Sequence, residues 1–125
     1  MRILVVDDND RVRHGVRNLL TSETSWEICG EAKDGTEAIE KARELLPDII
    51  FLDISMPGLN GLEATRLLRL QAANAKILIM SQNDAVQLLP RAIEAGAQGC
   101  VDKARLFTDL LSSIESIAGG PSEVQ

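Results

Sequence analysis

Positive charge is in short supply: thirteen Lys and Arg face nineteen Asp and Glu, a net charge of −6. No sequence-wide basic field exists to hold nucleic-acid phosphates or an anionic membrane, so neither direct DNA binding nor a membrane partner is expected. Cysteine is scarce as well. Cys29 and Cys100 are the only two, they lack CxxC spacing, and no charged-then-apolar leader precedes the first strand-like run, which points to a reducing cytoplasm. Wholly apolar runs are no longer than five residues, far below the ~20 that cross a bilayer, and a soluble protein is expected. His14, the only histidine, falls on a helical pattern and reads as a solvated surface residue. No G-x-G-x-x-G follows the first strand-like run, which leaves dinucleotide binding little support.

What is there is an ordinary globular composition. The 125 residues are 45% hydrophobic and 26% charged, enough for one core and one domain. The run ILVV at 3–6 is continuous and β-branched, which suits a strand buried on both faces of a parallel sheet, and it stops at Asp7 and Asp8. Val12, Val16, Leu19 and Leu20 then recur at helical spacing, with Asn9 or Asp10 available as a cap. Residues 26–32 alternate, as an edge strand does. The cycle repeats three more times. Asp34 and Gly35 open a helix closed by Pro47, and the strand at 49–52 ends at Asp53. Met56, Pro57 and Gly58 form a loop, a helix follows from about Asn60, and the strand at 77–80 ends at Ser81. After a helical segment to Ala95, a short strand at 99–102 reaches Lys103, and Leu106, Leu110, Leu111, Ile114 and Ile117 make the last helical stripe. Residues 119–125 read as a linker stub or tail after a domain spanning 1–118.

Five strands alternating with five helices imply an α/β fold, a five-stranded parallel sheet with helices on both faces and right-handed crossovers. An edge position for the second strand favours the doubly wound, flavodoxin-like order 2-1-3-4-5. Its ligand crevice lies beyond the carboxyl ends of strands one and three. Asp7, Asp8 and Asp53 therefore converge there, with Ser81 and Lys103 on the same rim. A single Asp at a strand-to-helix junction is often only a cap or a solvated loop acid; three at one switch point are harder to dismiss. Two carboxylates at ~5 Å repel by roughly 3 kcal/mol at an effective dielectric near 20. The group must hold a proton or be neutralised, and an all-oxygen cluster on short loops favours Mg²⁺ with several retained waters.

The segments RILVVDDND, FLDISMPGLNG, ILIMS and GCVDK, in this order and spacing, resemble the receiver domains of two-component response regulators over residues 1–118. The resemblance implies that Asp53 is the phosphoacceptor, attacking the phosphohistidine of a sensor histidine kinase to form an aspartyl phosphate. It implies that Asp7, Asp8, Asp53 and the backbone carbonyl of Ser55 hold Mg²⁺, and that Ser81 and Lys103 bind phosphoryl oxygens. It further implies a response on the face made by the fourth helix, fifth strand and fifth helix, a possible homodimer through that face, and transcription regulation. The pattern is most like receivers of LuxR/NarL/FixJ-type regulators, whose DNA contacts lie in an output domain that these residues do not include.

The sequence departs from that pattern in four places. Cys100 stands where receivers commonly carry the switch Tyr or Phe, and the chain has no tyrosine at all. Pro90 falls inside the fourth helix, so that helix is expected to start near Pro90, with 82–89 extended or mobile. Leu88 and Leu89 would then form an apolar patch for a second copy or another partner, unless they fill the core. Ala104 replaces the Pro that often follows the Lys, and a trans bond is expected. Ser55, Gln82 and Asn83 occupy positions that tune water access, and slow phosphoryl turnover is expected. Two other functions compete. Asp8-Asn9-Asp10 fits a loose D-x-D pattern of aspartyl-nucleophile, Mg²⁺-dependent phosphatases, and a degenerate receiver could act only in docking. Retention of all five phosphorylation residues argues against the latter.

Overall fold

The computed structural model describes residues 1–23, 25–54, 61–82 and 84–118. Five strands, β1 (Arg2–Val6), β2 (Glu27–Ala32), β3 (Ile49–Asp53), β4 (Lys76–Ser81) and β5 (Gly99–Asp102), form one parallel sheet in the order β2-β1-β3-β4-β5. The helices are α1 (Asp10–Glu23), α2 (Gly35–Leu45), α3 (Gly61–Gln71), α4 (Ala85–Ala95) and α5 (Leu106–Ile117), the last preceded by a 3-10 turn at Lys103–Arg105. The expected fold class and strand order are both observed.

Alternation along the strands divides the core in two. Leu4, Val6, Ile50, Leu52, Ile77 and Ile79 face α2, α3 and α4, whose contributions are mostly alanines, such as Ala38, Ala42, Ala64 and Ala92. Ile3, Val5, Phe51, Leu78 and Met80 face the other way, where α1 and α5 supply larger residues: Val16, Leu20, Leu110 and Ile114. The edge strand β2 is the least buried of the first three strands, which explains its alternating sequence.

Local signals fix the helix starts. Asn9 Oδ1 accepts the N–H groups of Arg11 and Val12 at 2.8 and 3.2 Å, and Asp34 Oδ1 accepts that of Glu37 at 2.8 Å. Gly61 opens α3 because nothing larger fits: a Cβ there would lie 2.5 Å from Ile54 Cα. Gly96, at φ 115°, ends α4 in the left-handed region.

The fourth helix corrects the expectation drawn from Pro90. It begins at Ala85, and Pro90 lies inside it. Ala85, Leu88, Ala92 and Ala95 are all buried, and that apolar stripe outweighs the local preference. The hydrogen bond that Pro90 cannot donate would run to the Val86 carbonyl. Both residues are exposed, so the loss falls on the side facing water. Residues 85–89 are thus helical and not the extended segment expected, while Gln82 and Asp84 precede the helix; Asn83 lies outside the described residues. Leu88 is core, 4% exposed, and takes no part in a surface patch, whereas Leu89 is partly exposed. The Lys103–Ala104 bond is trans, as expected. No helix among the described residues is long and apolar enough to cross a membrane.

Candidate functional site

The carboxyl ends of β1 and β3 carry the acids. Asp7, Asp8 and Asp53 each offer a carboxylate oxygen within 4.8 Å of the others, one cluster of metal-ligating type among the described residues. Asp7 and Asp53 are buried and Asp8 is exposed, so the cluster opens to solvent on one side.

Asp7 is the most constrained of the three. Its backbone N–H donates to the Ala32 carbonyl at 3.0 Å, and its Oδ1 accepts the Asn9 N–H at 2.8 Å. Its Oδ2 is buried and accepts no hydrogen bond; Lys103 Nζ lies 3.8 Å away. Burial raises the Asp7 carboxyl to about 6, against the pull of the Asn9 N–H and with help from the Asp53 charge. A buried carboxylate oxygen without a donor costs free energy unless a proton or a cation reaches it. The donor set therefore fits a small divalent cation that takes oxygen ligands and keeps waters on its open side.

Lys103 crosses the crevice from the far edge: its Nζ donates to Asp53 Oδ2 at 3.2 Å. Ser81 is fully buried at the end of β4, but its hydroxyl donates to Asp102 Oδ1 at 3.2 Å. So four of the predicted residues, Asp7, Asp8, Asp53 and Lys103, meet, while Ser81 points to a neighbour. Gln82, next after Ser81 in the chain, is exposed. Ser55 and Asn83 lie outside the described residues. Cys100 sits half-buried on β5, and burial pushes its thiol up. It lines a groove of about 410 Å³ between α4 and α5, with Leu89, Ile93, Ser112 and Ile117. His14 is exposed on α1, as expected.

Two residues that the sequence reading passed over hold this site together. Arg13 donates to the Asp7 carbonyl from Nη1, to Glu31 Oε1 at 3.1 Å from Nε, and to Asp10 from Nη2. Although burial opposes it, the Arg17 and Arg13 guanidiniums hold the Glu31 carboxyl below its ordinary value. Asp10, the second acid of the D-x-D pattern, is thereby drawn to Arg13 and stands outside the cluster. Asp102 is the other; an acid directly before Lys103 at a strand end was the signal available.

A family model described as the response regulator receiver domain matches residues 3–115. The chain belongs to that family. Receiver domains are generally signalling proteins that bind Mg²⁺ at an acidic pocket, and in this receiver Asp7, Asp8 and Asp53 cluster at the ends of β1 and β3. Among curated relatives, the response regulator GacA of Pseudomonas viridiflava is 35% identical over 120 residues, 96% of this chain and 56% of GacA. The receiver thus spans little more than half the length of that relative. A crystal structure of a LuxR-family two-component response regulator from Aurantimonas sp. SI85-9A1 superposes with a TM-score of 0.87 at 38% identity, covering 94% of this chain and 84% of that one. The response regulator domain of Thermotoga maritima CheB gives a TM-score of 0.84 at 33% identity, covering 94% and 96%.

Proposed function

We propose that this receiver is a phosphorylation-controlled switch, accepting a phosphoryl group on Asp53 from the phosphohistidine of a sensor kinase. One observation carries the reading: Asp53 is a buried carboxylate placed against both Lys103 and two further acids at the sheet's switch point. An Asp53 carboxylate oxygen bonds to phosphorus as the phosphorus–nitrogen bond breaks, and the imidazole keeps the electron pair. Asp7, Asp8, Asp53 and the Ser55 carbonyl would hold Mg²⁺, which when bound supplies neutralising charge beside the phosphoryl oxygens. Lys103 pairs with one phosphoryl oxygen and Ser81 donates to another, which requires its hydroxyl to turn from Asp102.

Phosphorylation adds roughly −1.5 to −2 charges and three strong acceptors, enough to draw Ser81 and Lys103 inward and to shift α4 and β5 between two arrangements. With Cys100 in place of an aromatic switch residue, the shift runs through backbone and through the groove between α4 and α5. That face then binds a second copy of the receiver or its output region. The output controlled in this way is transcription, through a DNA-binding domain of the LuxR type, and the protein acts in the cytoplasm.

The test is intact mass after incubation with acetyl phosphate and Mg²⁺. Wild type should gain one phosphoryl group and Asp53→Ala none. Equal labelling of the two, or no labelling of a folded wild type, overturns the assignment.

A further inference from the structure

The start of α4 receives no help from its own cap residue, since the Asp84 side chain makes no capping hydrogen bond. The acceptor comes from the neighbouring strand. Asp102 Oδ1, at the end of β5, accepts the Ala85 N–H at 2.8 Å and the Ser81 hydroxyl at 3.2 Å. One carboxylate oxygen thus ties the end of β4 and the first turn of α4 to the end of β5. The next residue, Lys103, reaches the other way, to Asp53.

A serine hydroxyl has one proton to donate. Here it is given to Asp102, so it is not directed at an oxygen attached to Asp53. Hydrogen bonds to a carboxylate are stronger than those to neutral acceptors, so Asp102 competes with a phosphoryl oxygen on similar terms. Ser81 is fully buried, and water does not stand in for Asp102 without rearrangement.

We infer that Asp102 is a positioning residue that holds Ser81 and the start of α4 in the unphosphorylated arrangement and so weakens the site's affinity for a phosphoryl group. The inference rests on the phosphoacceptor reading above. It also separates two roles of adjacent residues: Lys103 favours the phosphoryl group directly, and Asp102 opposes it through Ser81.

Beryllofluoride with Mg²⁺ serves as the probe, because it mimics a phosphoryl group on a carboxylate without turnover; its dissociation constant is read by calorimetry. Asp102→Ala releases the hydroxyl and should tighten binding about tenfold, the scale of one charge-assisted hydrogen bond after partial compensation. Asp102→Asn keeps an oxygen acceptor for both donors but removes the charge, and should tighten binding about threefold. That variant carries the test if Asp102→Ala does not fold. In a Ser81→Ala background, Asp102→Ala should leave the dissociation constant unchanged. A purely structural role at the α4 terminus would lower the melting temperature in both backgrounds without this dependence on Ser81. Unchanged or weaker binding in the Asp102 variants overturns the inference, as does a gain that persists without Ser81. A folded wild type that does not bind beryllofluoride at all would instead overturn the phosphoacceptor reading beneath it.

Discussion

The two halves of the crevice are held very differently. On the side of β1, the loop carrying Asp7 and Asp8 is fastened by the Ala32 carbonyl, the Asn9 cap and the three-way grip of Arg13. On the side of β4 and β5, Ser81 and the first N–H of α4 share a single oxygen of Asp102, and α4 itself carries Pro90 in its interior, one backbone donor short. A metal site benefits from preorganised ligands, because affinity is not then spent on ordering a loop. A switch needs an element with two accessible arrangements. The receiver places the first property on one side of Asp53 and the second on the other.

The largest expected effect breaks the first half by pH. The Asp7 carboxyl moves from 3.8, its ordinary value, to about 6 in the fold. A raised acid takes up a proton on folding between those values. Its contribution is therefore most favourable below about pH 4, declines as pH rises to about 6, and is level above that, a loss of about 3 kcal/mol without metal. Urea unfolding of wild type and Asp7→Asn from pH 4 to 8 measures it. The Asn variant should gain relative stability as pH rises and surpass the metal-free wild type at pH 8. Mg²⁺ should stabilise wild type strongly at pH 8 and little below pH 5, where protons compete for the same oxygen. Parallel curves for the two proteins would show that Asp7 does not carry this burden.

The contrast between the halves also explains what could be read from sequence. Buried parallel strands appear as apolar runs such as ILVV, and each stops at a polar residue. In a doubly wound sheet the ends of strands one and three have one place to meet, so Asp7, Asp8 and Asp53 were legible as a group. Pro90 misled because a local rule was set against the burial of Leu88 and Ala92, and burial prevailed. The orientation of Ser81 was not legible either. It depends on a carboxylate 21 residues away on a neighbouring strand, and neither alternation nor helical spacing encodes which of two acceptors a hydroxyl chooses. Arg13 escaped notice for the same reason: its place on a helical face says nothing of the Asp7 carbonyl beneath it.

A smaller effect sharpens the comparison through Arg13. Replacing it with Ala leaves a loop carbonyl without its donor and removes one of the two guanidiniums on Glu31, a loss of about 2 kcal/mol in urea unfolding. Because the damage falls on the loop that carries two of the three acids, Mg²⁺ affinity by calorimetry should fall about fivefold, or about 1 kcal/mol. Arg13→Lys should recover little of either, since an ammonium does not span three acceptors as the planar fork does. Ser81→Ala, in the other half, should leave Mg²⁺ affinity within about twofold. If it weakened Mg²⁺ as much as Arg13→Ala, the two halves would not be independent.

The smallest effect lies at Gln82, directly after Ser81 and exposed. Its side chain is long enough to stand over the end of β4, where water must approach an acyl phosphate on Asp53. Because it is exposed, Gln82→Ala should shift stability by less than about 0.5 kcal/mol. The same truncation opens the approach of water and should speed phosphate release about two- to threefold, equivalent to roughly 0.5 kcal/mol on the barrier. A time course of phosphate release from the phosphorylated protein reads it, with Asp102→Ala as the internal contrast. That variant acts through Ser81 on the stability of the phosphoryl adduct, so it should slow release while Gln82→Ala hastens it. Release unchanged by Gln82→Ala would mean that water reaches Asp53 by a path this side chain does not guard.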